Sequence, residues 1–223
     1  MDVSIQRLEK YEGAFRLAAT SGLLTGVAAA TNADTGVGHL FAFRWQPTVN
    51  PTPTRYLKWC VIQRIRAHWR TISGFTAAQE VGLDMYKVTG YSASHSGGTA
   101  LTLTAPTNEK RTGVAPAAGV NRGGQYGSQV ADLRIATTGA LTAGTFTIDS
   151  NPLAQDCYAE LAAAATVPKG RFDLEFLNQD DPGFPLVLAP AEGIIIRNTV
   201  AMGTGGTARL IVELDWLEVN FSR

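Results

Sequence analysis

The sequence predicts an all-β protein, a two-sheet antiparallel β-sandwich, and three observations carry that prediction. The closing segment Thr207 to Val219 alternates with a period of two. Ala208, Leu210, Val212, Leu214 and Trp216 fall on one face, and Arg209, Glu213 and Asp215 on the other, with Ile211 as an exception. This is the pattern of a half-buried strand. The chain also holds 24 threonines beside many valines and isoleucines, residues that suit a pleated surface. Its 23 glycines and 10 prolines supply many turns and are too few for a low-complexity chain.

At 223 residues the chain is long enough for one sizeable core, and 45% hydrophobic residues is an ordinary globular share. Nineteen basic residues balance nineteen acidic ones, so no global positive field gathers nucleic acid or favours a membrane surface. Cys60 and Cys157 are far apart, and two free thiols are expected, with one disulfide as the alternative. Met1-Asp2-Val3-Ser4 lacks the basic and apolar regions of a signal peptide. The run Leu17 to Ala33 carries too many hydroxyls and glycines to be a good membrane span. The expectation is a protein made and kept without export, so the sequon Asn220-Phe221-Ser222 reads as chance.

Residues 1–13 read as an arm or short helix, and 14–223 as a single sandwich domain. Ala14 to Ala19 and Leu23 to Ala30 are two strand candidates. Val37 to Trp45 alternates, with His39, Phe41, Phe43 and Trp45 on one face. Leu57 to Arg70 is the longest candidate. Leu57, Trp59, Val61, Ile65, Ala67 and Trp69 face one way, interrupted at Gln63, and Lys58, Cys60, Ile62, Arg64, Arg66, His68 and Arg70 face the other. A strand of this length usually bends at a bulge or crosses the whole domain. Thr76 to Gly82 suggests one capped helical turn, and Leu83 to Thr89 a strand.

Tyr91 to Tyr126 is rich in Gly, Ala, Thr and Ser and reads as an extended loop, with a short strand at Leu101 to Thr104. It either packs on another subunit or makes a surface excursion. Asp132 to Ala136, Thr145 to Asp149 and Phe172 to Leu177 are strands. Asn151 to Ala165 is open between a helix started by Asn151-Pro152 and a strand or irregular crossing. Phe184 to Ala189, Ile194 to Asn198 and the closing strand, joined by Pro190 to Gly193 and Gly203 to Gly206, suggest a meander. About eight to ten strands without a repeat point to a jelly-roll type of sandwich.

Chemistry is hard to find. His39, His68 and His95 are not at ligand spacing, and His95 in Ser94-His95-Ser96-Gly97 reads as a solvated loop residue. No nucleophile elbow or phosphate loop is present. Asp173, Glu175, Asp180 and Asp181 form the densest acidic group. They read as outward and turn positions before they read as a calcium or glycosidase site. Arg64, Arg66 and Arg70 are the most suggestive charges. Pairing with the outward acids at Asp173/Glu175 and Glu213/Asp215, within or across subunits, is the simplest account, ahead of plain solvated charge and of nucleic-acid contact.

Asn151-Pro152-Leu153-Ala154, the run Phe184 to Asn198 and the close Gly206 to Trp216 together resemble structural proteins of tailed-phage particles with jelly-roll or β-sandwich folds. The resemblance covers roughly the last third of the chain and has no diagnostic motif. It implies a non-enzymatic virion protein, made in the host cytoplasm, that decorates or cements a capsid or belongs to a tail. Such proteins are symmetric homo-oligomers, often trimers, that also contact the major capsid protein or other virion proteins. No cofactor, metal, membrane or direct nucleic-acid contact is expected. Candidate interface residues are Arg64, Arg66, Arg70, Tyr91 and Tyr126. The alternatives are a carbohydrate- or receptor-binding sandwich of a tail or fibre using the Asp173–Asp181 acids and, further off, a glycosidase-like sandwich.

Overall fold

The computed structural model describes residues 11–30, 37–47, 59–101, 103, 130–142, 144–160, 171–176 and 186–219. Among them run thirteen β-strands and no helix. In order these are β1 (Tyr11–Thr20), β2 (Leu24–Thr25), β3 (His39–Trp45), β4 (Trp59–Ser73), β5 (Gln79–Ala93), β6 (Thr99–Ala100), β7 (Val130–Ile135), β8 (Thr145–Ile148), β9 (Ala154–Glu160), β10 (Arg171–Phe176), β11 (Leu186–Leu188), β12 (Gly193–Asn198) and β13 (Thr207–Val219). They form two antiparallel sheets. Sheet A has the order β1-β13-β4-β10, with β11 also on β4 and β2 on β13. Sheet B has the order β6-β7-β3-β12-β5-β8, with β9 also on β5.

The alternation of the closing strand explains its place. β13 lies between β1 and β4, with Leu214 opposite Leu17 on one side and Ile65 on the other. Its inward residues Ala208, Leu210, Val212, Leu214 and Trp216 are all at most 1% exposed. Each large side chain so buried contributes about 1.5–3 kcal/mol. Trp216 stacks on Phe15 of its own sheet at 5.5 Å and meets Phe43 of sheet B edge-on at 5.7 Å, so the two layers share one aromatic core. Trp45 and Trp69 are fully buried in the same cluster.

Several expectations need correction. The closing strands are not a meander: β11 belongs to sheet A, β12 to sheet B and β13 to sheet A. Their inward residues Leu188, Ile194 and Leu210 fill one core from opposite layers, so alternation alone does not reveal which sheet each strand joins. Gly203 to Gly206 therefore crosses between sheets instead of closing a hairpin. Gly206 lies so close to the Phe75 ring that no side chain fits. The helical turn expected at Thr76 is absent, because the Thr76 amide and hydroxyl both donate to the Thr204 carbonyl, at 3.0 and 3.2 Å. Of the open stretch Asn151 to Ala165, Ala154–Glu160 is the strand β9, paired to β5, and residues 161–165 lie outside the described residues.

Leu23 to Ala30 contributes only the two-residue β2. Its backbone bonds instead to several neighbours, with Thr25 N on Thr138 O, Met202 N on Val27 O and Ala30 N on Asn198 O. β4 does bend at a bulge, where Arg64 faces Asp215 but Ile62 faces Trp216. The bulge inverts the first part of the strand, so Cys60 and Ile62 turn inward with Ile65, Ala67 and Trp69, while Trp59 and Val61 are only half-buried. In β3 a similar irregularity, between the Phe41 and His39 pairings, sends Leu40 into the core with Phe41, Phe43 and Trp45 and turns His39 away.

Candidate functional site

Ionisable side chains gather on the outer faces of both sheets. On sheet A the register is a ladder of rows. Asp215 of β13 stands between Arg16 of β1 and Arg64 of β4, and Glu213 stands opposite Arg66. The bulge at Gln63 sets Arg64 and Arg66 on the outer face, where Arg64 Nη2 donates to Glu213 Oε2 at 3.0 Å. Arg66 Nη1 lies 3.9 Å from the same oxygen. These side chains keep 30–39% of their surface in water, so each pair contributes at most about 1 kcal/mol. Towards the far end of the strands, exposed Arg70 stands opposite exposed Arg209.

The remaining interface candidates fall elsewhere. Tyr91 is not in a loop: β5 extends to Ala93, and Tyr91 pairs with Phe146 of β8 and is 5% exposed. It belongs to a second, small apolar cluster on the outer face of sheet B with Ala42, Val88, Leu141, Phe146 and Ile195. The short strand that follows is Thr99–Ala100; of the strand expected at Leu101 to Thr104, Leu101 and Leu103 lie in no strand, and Thr102 and Thr104 lie outside the described residues. Tyr126, with the rest of the expected loop after residue 103, lies outside the described residues, as do Asp180 and Asp181.

His95 is not solvated. It is 2% exposed, stacks on Phe146 at 4.9 Å, and its Nε2 lies 2.8 Å from Nδ1 of His39, itself 1% exposed. One neutral imidazole thus donates to the other. Burial, then the nearby His95 and Arg197 charges, lower the His39 pKa to about 3. Burial and Arg134 lower that of His95 to about 4. Tyr91 Oη approaches His95 Nδ1 at 3.5 Å, and burial first, with Asp132 second, raises the phenol pKa. Beside His39 in register, Arg197 of β12 makes a two-pronged bond to Asp84 of β5, with Nε–Oδ1 3.0 Å and Nη2–Oδ2 2.7 Å. Its guanidinium lies 4.2 Å over the Tyr86 ring.

Two neutral, enclosed imidazoles bonded to each other have no free reach towards a substrate, which proton transfer requires. The pair instead fastens the Ser94–Gly98 segment to β3, helped by Arg44 Nη1 donating to Ser94 Oγ at 2.9 Å. Among the described residues no three His, Cys, Asp or Glu side chains group so as to hold a metal ion. Cys60 is a buried free thiol and Cys157 an exposed one.

Sequence reasoning missed the histidine pair and the Arg197–Asp84 bond. The one available signal was Arg197 ending the run Ile194-Ile195-Ile196, a charge where an apolar side chain would be expected. Compared with protein-family models and with curated proteins, the chain matches none.

Proposed function

We propose that this chain is a non-enzymatic structural subunit of a tailed-phage-like virion, a jelly-roll protein that decorates or cements the capsid. It would act through contacts with its own copies, as a symmetric homo-oligomer, and with the major capsid protein. The observation that carries this reading is the outer face of sheet A. There, half-exposed Arg64 and Arg66 and their partner Glu213 stand among the partly exposed aliphatic residues Ile72, Ile211 and Leu217 on one broad sheet. Arginine mixed with apolar surface is the composition of protein–protein contact areas. The likeness of the closing segments to phage structural proteins adds support at the level of fold.

Two measurements test it together: light scattering on the eluting protein, and co-sedimentation with phage particles stripped of their decoration. A defined oligomer that pellets with particles is the expected result. A strict monomer that stays in the supernatant overturns it.

A further inference from the structure

Arg70 of β4 stands directly opposite Arg209 of β13 on one side and Arg171 of β10 on the other. Three arginines thus occupy one cross-strand row, about 10 Å from end to end at the spacing of neighbouring strands. Like charges placed directly opposite are destabilising. Elsewhere on this face the charges are balanced: Glu213 takes Arg64 and Arg66, and Asp215 faces Arg16. Arg70 and Arg209 are exposed, and among the described residues no carboxylate pairs with either. Exposed Ile72, two residues on from Arg70, gives the row an apolar rim.

We propose that the Arg70–Arg209 pair is a docking point for a carboxylate-bearing patch on a partner protein. Three features favour carboxylates over a phosphate backbone. The row is short, whereas a nucleic acid gains its affinity from many contacts along a track. Two and three rows along the same face stand Glu213 and Asp215, which repel a polyanion laid along the strands. Guanidinium groups also match carboxylates two bonds at a time, giving a short row specificity. A second copy apposed row to row would bring arginine against arginine, so the partner proposed for this row is a different protein. The assembly reading enters only in naming that partner as a particle protein.

The test uses the full chain and two labelled probes, a hexaglutamate peptide and an oligothymidylate, followed by fluorescence anisotropy at low and physiological salt. The peptide should bind in a salt-dependent way, more tightly than the oligonucleotide, and lose about tenfold or more in affinity in Arg70→Glu/Arg209→Glu. Both positions are exposed, so an unchanged thermal midpoint is expected. Arg70→Gln serves as a milder variant, in which the loss should be partial. Tighter binding of the oligonucleotide assigns the row to nucleic acid and overturns the proposal. So does the absence of peptide binding, or peptide binding that the variants leave intact. Particle co-sedimentation run alongside separates the two readings. Peptide binding lost in the variants, with wild-type protein that ignores particles, keeps the arginine site and removes the virion role. Particle binding with no peptide effect does the reverse.

Discussion

Lowering the pH should loosen this fold through His39 and His95, by an amount set by their burial. In the unfolded chain an imidazole titrates near 6.5, whereas in the fold His39 titrates near about 3 and His95 near about 4. The folded state therefore binds fewer protons than the unfolded state between those limits. The contribution is fully present above pH 6.5, falls as the pH drops below it, and levels off once the folded values are reached. At pH 5 each unfolded histidine gains about 1.5 pK units of protonation that the fold refuses, or about 2 kcal/mol, hence about 4 kcal/mol for the pair. Both side chains are at most 2% exposed, so solvent screening takes little from this figure. Urea unfolding at pH 8 and pH 5 measures the loss, with His39→Gln/His95→Gln as the comparison. The variant should be less stable at pH 8 but lose about 4 kcal/mol less on acidification, since carboxylates act equally in both proteins. Nuclear magnetic resonance offers a second view: the His39 and His95 ring signals should hold their neutral positions at pH 5. Ring signals moving near pH 6.5 in the folded protein, or equal losses in wild type and variant, refute the reasoning.

Two further outcomes follow from close contacts in sheet B. Asp84→Ala strands the buried Arg197 guanidinium and should cost about 3–5 kcal/mol by chemical denaturation. Replacing both partners with apolar residues, Asp84→Leu/Arg197→Met, should restore most of that loss. Gly193→Ala should lower stability by about 3 kcal/mol, seen as a fall in thermal midpoint, because a Cβ there meets the Phe43 carbonyl and comes 2.7 Å from Tyr91 Cε2.

What the sequence made legible was decided residue by residue. β13 could be read because its inward positions from Ala208 to Trp216 are all apolar, and both neighbouring strands agree with it. β4 was misread over its first half because one extra residue near Gln63 inverts the faces, and a bulge has no fixed composition. β11, β12 and β13 looked like neighbours because a strand's pattern tells which side is buried, not which layer it joins. Ser94-His95-Ser96-Gly97 looked solvated since it is short and polar. The residues that cover it, His39 and Phe146, are each about fifty positions away in the chain; Phe146 meets it through the pairing of β5 with β8, and His39 through β12, which lies between β3 and β5.

The two outer faces are finished in different ways, and that difference bears on where a partner protein would dock. Sheet B closes its own surface. Tyr91, Phe146 and Leu141 cap Ala42 and Ile195, and the histidine pair ties the Ser94–Gly98 segment down over them. A partner approaching there would have to displace groups that already satisfy one another, at the cost of leaving buried polar atoms unpaired. On sheet A the described outer residues Arg64, Arg66, Arg70, Arg209, Ile211 and Glu213 are half-exposed or exposed, and His68 is buried. Its ion pairs are already half-wet, so drying them costs less than opening the buried Arg197–Asp84 bond, and its arginine row is worsened by isolation and relieved by contact with carboxylates. The same β13 that knits the core through its inward residues thus presents, through Arg209, Ile211 and Glu213, the surface best suited to a second protein.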